Sequence, residues 1–211
     1  MKQVVVLDYG SGNIRSVVRM LERVGAQVEL TADPESVRRA DGLYVPGVGN
    51  FHACVAGLRQ VGGPELIGER LAARLPVLGV CVGFQVLFEG STEHYATDGL
   101  DGIGVWPGTI TRLEAPVVPH MGWSQVRTAS GSALFRGIED EWFYFVHSYA
   151  ASQPPASGFA GPDRAPRVST AEHGEVFVAA VEDGALWGTQ FHPEKSGDAG
   201  AALIENWLAS F

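Results

Sequence analysis

Residues 76–85 read Pro-Val-Leu-Gly-Val-Cys-Val-Gly-Phe-Gln, and the fold follows from how this stretch is read. Pro76 to Val80 is a short apolar run that predicts a buried strand. Gly79-Val80-Cys81-Val82-Gly83 makes the turn, and Gly83 to Phe88 predicts the start of a helix. The flanking glycines permit a strand-to-helix turn where a β-carbon would clash. Such a turn holds the thiol exposed above the sheet.

Upstream, strand and helix signals alternate. Gln3 to Asp8 predicts a buried strand, and Gly10 to Gly12 a turn. Ile14, Val17, Val18, Leu21 and Val24 then recur at helical spacing. Gln27 to Leu30 reads as a second strand, Pro34 to Ala40 as a short helix, and Leu43 to Val45 as a third strand ended by Pro46-Gly47. Helices are predicted over Phe51 to Gln60 and Pro64 to Arg74. This rhythm predicts an α/β fold, flavodoxin-like, with a mixed, mostly parallel central sheet and helices on both faces.

Downstream the runs are short and aromatic. Ile103 to Trp106, Trp123 to Arg127, Phe143 to Val146, Glu175 to Val181 and Leu186 to Phe191 read as strands, several of them antiparallel. Ser196 to Phe211 closes the chain as a helix with Ser196 as N-cap. Gln153 to Arg167, with its prolines and glycines, reads as a surface loop and not a linker. One domain over residues 1–211 is the economical reading.

The composition removes some functions. The formal net charge is -9 and the 15 basic residues are scattered. Nucleic acid and anionic membrane surfaces both require a concentrated basic face, so neither is an expected partner. The apolar run after Met1 and Lys2 is stopped by Asp8, too early for a secretion signal. Pro76 to Phe88 is too short to span a bilayer. Two cysteines, Cys54 and Cys81, suit free thiols in a reducing cytoplasm.

The chemistry converges on Cys81. Placed at the elbow, it has a helix N-terminus to favour its thiolate, and the N–H of Val82 to bind an oxyanion. A buried structural cysteine is the bland alternative. Cys54, on an amphipathic helix, reads as core. A thiol nucleophile needs a base, and the base an orienting group. His192 follows a strand, and Glu194 can reach round to its ring. Taken alone, His-x-Glu also fits an ordinary surface turn. No His-x-x-x-His or Cys-x-x-Cys spacing suggests a metal, and no metal or organic cofactor is expected. In Gly10-Ser11-Gly12-Asn13-Ile14-Arg15, Arg15 stands where a dinucleotide fingerprint needs glycine.

Taken together, these segments resemble the triad-type (class I) glutamine amidotransferases nearly end to end. They include Asp8 to Asn13, Val45 to Gly49, Gly79 to Gln85, Pro119-His120-Met121-Gly122-Trp123, Phe145 to Tyr149, and Gly188 to Ser196. The Pro-Gly-Val-Gly, Pro-His-Met-Gly-Trp and His-Pro-Glu-Lys-Ser segments are most similar to the branch that serves histidine biosynthesis. That resemblance implies a glutaminase with Cys81 as nucleophile, His192 as base and acid, and Glu194 orienting it.

The resemblance also implies that Pro46 to Gly49 forms an oxyanion strand. An N–H near Gly47, that of Val48 after a peptide flip, would join Val82 in the hole. Gly49, Gln85, His147, Ser148 and Tyr149 would hold the glutamine. Asn13, Met121, Trp123 and Lys195 would face a cyclase partner, a (β/α)8 barrel, in a heterodimer that uses the ammonia to convert PRFAR to imidazole glycerol phosphate and AICAR. The residues themselves leave plainer roles open. Gln85 fits a helix-lining residue, Met121 and Trp123 fit core, Lys195 a solvated charge, and His120 and His147 hydrogen-bonded structural histidines.

Overall fold

The computed structural model describes residues 1–95, 99–155 and 165–211. Its centre is a seven-stranded sheet in the order β10-β11-β12-β4-β3-β1-β2. The strands are β1 (Gln3–Leu7), β2 (Gln27–Thr31), β3 (Gly42–Val45), β4 (Val77–Val80), β10 (Arg167–His173), β11 (Glu175–Asp183) and β12 (Leu186–Thr189). From β12 through β4, β3 and β1 to β2 every pairing is parallel. Strands β10 and β11 add an antiparallel edge.

Val4 to Leu7, Leu43 to Val45, Val77 to Val80 and Leu186 to Thr189 are buried at every position. Burial without alternation means that both faces of the sheet are covered. The covering helices are α1 (Ile14–Arg23), α2 (Pro34–Arg39), α3 (Phe51–Gln60), α4 (Gly63–Ala72) and α6 (Gly197–Leu208), with a single turn, α5 (Val82–Gln85), after the elbow. Among them α1 packs on α6, while α4 packs on α2 and α3. The fold class and the first-half element order agree with expectation.

The second half differs in detail. A three-stranded sheet contains β5 (Phe88–Ser91), β6 (Trp106–Arg112) and β9 (Tyr149–Ala151). A two-stranded hairpin joins β7 (His120–Gln125) to β8 (Trp142–His147). The elbow helix therefore does not reach Phe88. Phe88 instead enters β5, where its ring and that of Phe84 pack on Trp106.

The strand expected at Ile103 begins at Trp106 and runs through Pro107 and Gly108. It does so because Gly108 takes φ +122° at a shift in the β5–β6 register. The hairpin starts at His120, earlier than Trp123. Arg167 belongs to β10, so the expected loop ends before it. Residues 156–164 of that loop lie outside the described residues.

Ser196 stands at the N-cap position of α6, but its hydroxyl does not cap the helix. It donates to the His192 carbonyl at 2.6 Å and accepts from Tyr144 N–H at 3.0 Å. Among the described residues no helix is long and apolar enough to cross a membrane.

Candidate active site

Three adjacent parallel strands, β3, β4 and β12, deliver the site at their carboxyl ends. Gly47 and Val48 follow β3, Cys81 follows β4, and His192 follows β12. Cys81 has φ 55° and ψ -114°, a conformation rare for a side-chain-bearing residue. The glycines on either side make it possible. A β-carbon at Gly79 would meet the Gly83 carbonyl at 2.6 Å, and one at Gly83 would meet the Val45 carbonyl at 2.1 Å. Helix α5 is one turn long, so the help expected for a thiolate from a helix N-terminus is smaller than a full helix would give.

His192 Nδ1 donates to Glu194 Oε1 at 2.7 Å, and both side chains are buried. Its other nitrogen is thereby left for the Cys81 sulfur. Burial, the largest influence, disfavours the His192 cation. The charge and hydrogen bond of Cys81, together with Glu194, outweigh it and raise the group to about 10. Among the described residues, Glu194 Oε2 and the Tyr44 hydroxyl are both buried with no partner at hydrogen-bond geometry. Burial, then the charges of Glu194 and Cys81, holds Tyr44 well above the usual phenol range.

A cavity of about 410 Å³ opens on this edge. Its lining includes Val48, Gly49, Cys81, Val82, Gln85, His147, Ser148, Tyr149, His192 and Lys195. Gly47 is buried behind it, and Glu194 stands behind His192. Asn13, Met121 and Trp123 lie outside the cavity and are exposed, Met121 by 63% and Trp123 by 51%, so neither is a core residue. Lys195 is half-buried.

Glu93, Pro119 and Val146 also line the cavity; Pro119 and Val146 fall inside segments that carry the family resemblance but without an expected site role, and Glu93 falls in none. Glu93 is its acidic wall residue. It accepts from Phe51 N–H at 2.7 Å, and nothing in its local sequence marks it. A larger cavity, about 800 Å³, lies at the opposite edge of the sheet around Asp41, Pro76 and Gly184, away from Cys81.

The Gly47–Val48 peptide has a definite orientation. The Gly47 carbonyl accepts from Val82 N–H at 3.3 Å, while Val48 N–H donates to Ser11 Oγ at 3.3 Å. The Tyr9 hydroxyl donates to the Pro46 carbonyl, and the Cys54 thiol to the Val48 carbonyl at 3.3 Å. Cys54 is buried in α3, as expected of a core residue, and its thiol also touches the strand after β3.

Gln85 donates to the Tyr149 carbonyl at 2.7 Å and to Gln190 Oε1 at 3.0 Å. His147 and His120 are buried and hydrogen-bonded to each other at 3.1 Å. Burial lowers His147 to about 3 and His120 to about 4. In the unfolded chain an imidazole takes its proton near pH 6.5, well before these native rings do. Stability is therefore lost as pH falls from 6.5 toward 4 and 3.

Between pH 6.5 and 4.5 the loss is roughly 2 kcal/mol for each ring. His192, raised and not lowered, keeps its stabilising effect throughout that range. Urea unfolding at the two pH values checks this. His120→Asn should lose roughly 2 kcal/mol less than the parent over the interval, and an equal loss in both proteins would contradict it.

The model of the family "Glutamine amidotransferase class-I" matches residues 5–211. The imidazole glycerol phosphate synthase subunit HisH of Mycobacterium tuberculosis is 58% identical, over 98% of this chain and 97% of its own length. That of Corynebacterium diphtheriae is 56% identical, over 99% of each. A solved glutamine amidotransferase superposes with a TM-score of 0.73 at 17% identity, covering 98% of this chain and 99% of its own, a likeness of fold.

Proposed function

The chain belongs to the class-I glutamine amidotransferases, and among them to the HisH subunits of imidazole glycerol phosphate synthase, and on that premise we propose how its residues divide the work. It is a glutamine amidotransferase subunit of histidine biosynthesis. Cys81 is the nucleophile, His192 the acid and base, and Glu194 the group that orients His192. The observation that carries this reading is the meeting of the three side chains at one sheet edge, with His192 locked to Glu194 and raised by the sulfur.

The chemistry runs in two halves. The Cys81 thiol gives its proton to His192 as the sulfur attacks the side-chain amide carbon of glutamine. The carbonyl π pair moves to oxygen, which backbone N–H groups hold. On collapse the C–N bond breaks and His192 gives its proton to the leaving nitrogen, so ammonia departs. Water then loses a proton to His192 and attacks the thioester. The C–S bond breaks, sulfur leaves as thiolate, and glutamate is released. The Glu93 carboxylate suits the glutamine α-ammonium, and Ser148 and Tyr149 suit its carboxylate.

The hole is closed at rest. The Gly47 carbonyl holds Val82 N–H, and Val48 N–H faces Ser11. Turning this one peptide would free the first donor and aim the second at the cavity. Glycines on both sides of Val48 lower the cost of that turn. The partner is the cyclase subunit HisF, a (β/α)8 barrel, met through Asn13, Met121, Trp123 and Lys195 in a cytoplasmic heterodimer.

The test is glutamate release by the purified chain, alone and with the cyclase holding its ribulosyl substrate. Removing one oxyanion donor costs roughly 10²–10³ in rate, so stimulation on the order of 10² or more is expected. High activity without the partner would remove the gating. Absence of glutamate under every condition would remove the glutaminase assignment itself.

A further inference from the structure

The β7–β8 hairpin has two unlike faces. Outward it shows Met121 and Trp123, with Tyr144 opposite Trp123 and Trp142, 51% exposed, opposite Gln125. Inward, His120 sits directly opposite His147. The bonding around these two rings has a direction that can be worked out atom by atom.

The Tyr149 carbonyl only accepts, so His147 Nδ1, 3.0 Å from it, carries the proton. A neutral His147 then has a lone pair on Nε2. His120 Nδ1, 3.1 Å from that lone pair, must donate. The lone pair left on His120 Nε2 accepts the Ser124 hydroxyl at 2.9 Å. Burial of both rings, then the charge of His173, stacked on His120 at 4.3 Å, and that of His192 near His147, oppose a second proton on either ring. Among the described residues no group of three or more such side chains is arranged to hold a metal.

The same logic continues toward the thiol. The Tyr149 carbonyl also accepts from Gln85, which fixes that amide with its nitrogen toward Tyr149. The second Gln85 N–H donates to Gln190 Oε1. The Gln190 nitrogen is therefore the end that faces Cys81 Sγ, at 3.9 Å. Each amide orientation, otherwise ambiguous, is dictated by its neighbour.

We propose that Ser124, His120 and His147 are positioning residues, an oriented hydrogen-bond chain that fixes the Gln190 N–H against the Cys81 sulfur through the Tyr149 carbonyl and Gln85. The chain starts on the hairpin that carries the exposed aromatic face and ends at the thiol. It rests on the reading of Cys81 as nucleophile, but it can be examined without glutamine.

Two measurements test it. Multiple-bond ¹H–¹⁵N correlation on the parent protein should find both His120 and His147 as the Nδ1–H tautomer. An Nε2–H tautomer on either ring overturns the chain. The second measurement is the pH–rate profile of Cys81 alkylation by iodoacetamide, followed by peptide mass so that Cys54 is counted separately. His120→Ala removes the donor to His147 and should move the profile to higher pH, with reactivity at pH 7 falling roughly threefold.

His120→Asn carries an amide nitrogen near the place of Nδ1 and should restore the parent profile. A packing role would impair both variants alike, so failure of the Asn rescue, or an unmoved profile in His120→Ala, overturns the proposal. Should His120→Ala not fold, the tautomers decide. Glutamine turnover on the same parent sample judges the glutaminase reading separately. Its absence, beside Nδ1–H tautomers and a rescued profile, would leave the chain standing and remove only that reading.

Discussion

Cys81→Ala is expected to abolish glutamate release, by at least about 10⁴-fold, because among the described residues Cys81 is the nucleophile that has His192 as its base. Water would have to attack the amide directly, and His192 without the sulfur is not an equivalent base. Burial opposes its charge, and the sulfur's charge and hydrogen bond that raised it toward 10 are gone. The fold should survive. Alanine is smaller than cysteine, and the elbow is set by backbone contacts such as Cys81 N–H to the Thr189 carbonyl at 2.8 Å. Cys54 cannot substitute, since its thiol is buried in α3 and occupied by Ser11 and the Val48 carbonyl.

The complex of this variant with the cyclase should still use free ammonia, supplied as an ammonium salt at alkaline pH. Assaying both reactions on one preparation separates loss of chemistry from loss of assembly. Glutaminase activity retained in the variant would refute Cys81 as nucleophile. Loss of the ammonia-dependent reaction as well would mean that the substitution had broken the complex.

What could be read ahead of the structure was whatever local sterics impose. Gly79 and Gly83 admit no side chain once a strand turns straight into a helix, so the elbow is written in five residues. His192 and Glu194 are two residues apart, and a short turn brings them together. The misread parts depend on distant partners. Val86-Leu87-Phe88 is apolar without a period, which suits a helix or a strand equally. Pairing with Trp106, far along the chain, decides for β5.

Strand β10, with the polar sequence Arg167-Val168-Ser169-Thr170-Ala171-Glu172-His173, offers no strand signal of its own. It is held by its ladder to β11 at the edge of the sheet. The Ser196 hydroxyl looked like a helix cap, and Tyr144 on β8 claimed it. Glu93 is not legible in the sequence, because its place in the cavity comes from a segment with no pattern. The histidine pair reads as two separate structural residues until β7 and β8 are registered.

Val48→Pro should strip the stimulated enzyme of its response while leaving glutamine binding intact. Proline has no N–H to present to the oxyanion, and its fixed φ resists turning the Gly47–Val48 peptide, so the Gly47 carbonyl also stays on Val82 N–H. At rest little is lost, because among the described residues the N–H removed is held by the Ser11 hydroxyl, at 3.3 Å. Gly47 before the proline tolerates the restriction that proline puts on its predecessor better than any other residue would. The missing donor acts on the tetrahedral state and not on bound glutamine. The expected loss is therefore in kcat, roughly 10²–10³ with the loaded cyclase present, at an unchanged KM.

Val48→Ala, which keeps the N–H, should keep the stimulation. If both variants lose it together, the side chain or the strand's shape matters and the donor assignment fails. If Val48→Pro is stimulated as fully as the parent, turning of the Gly47–Val48 peptide is not the switch, because proline's fixed φ resists that turn, and the second donor lies elsewhere.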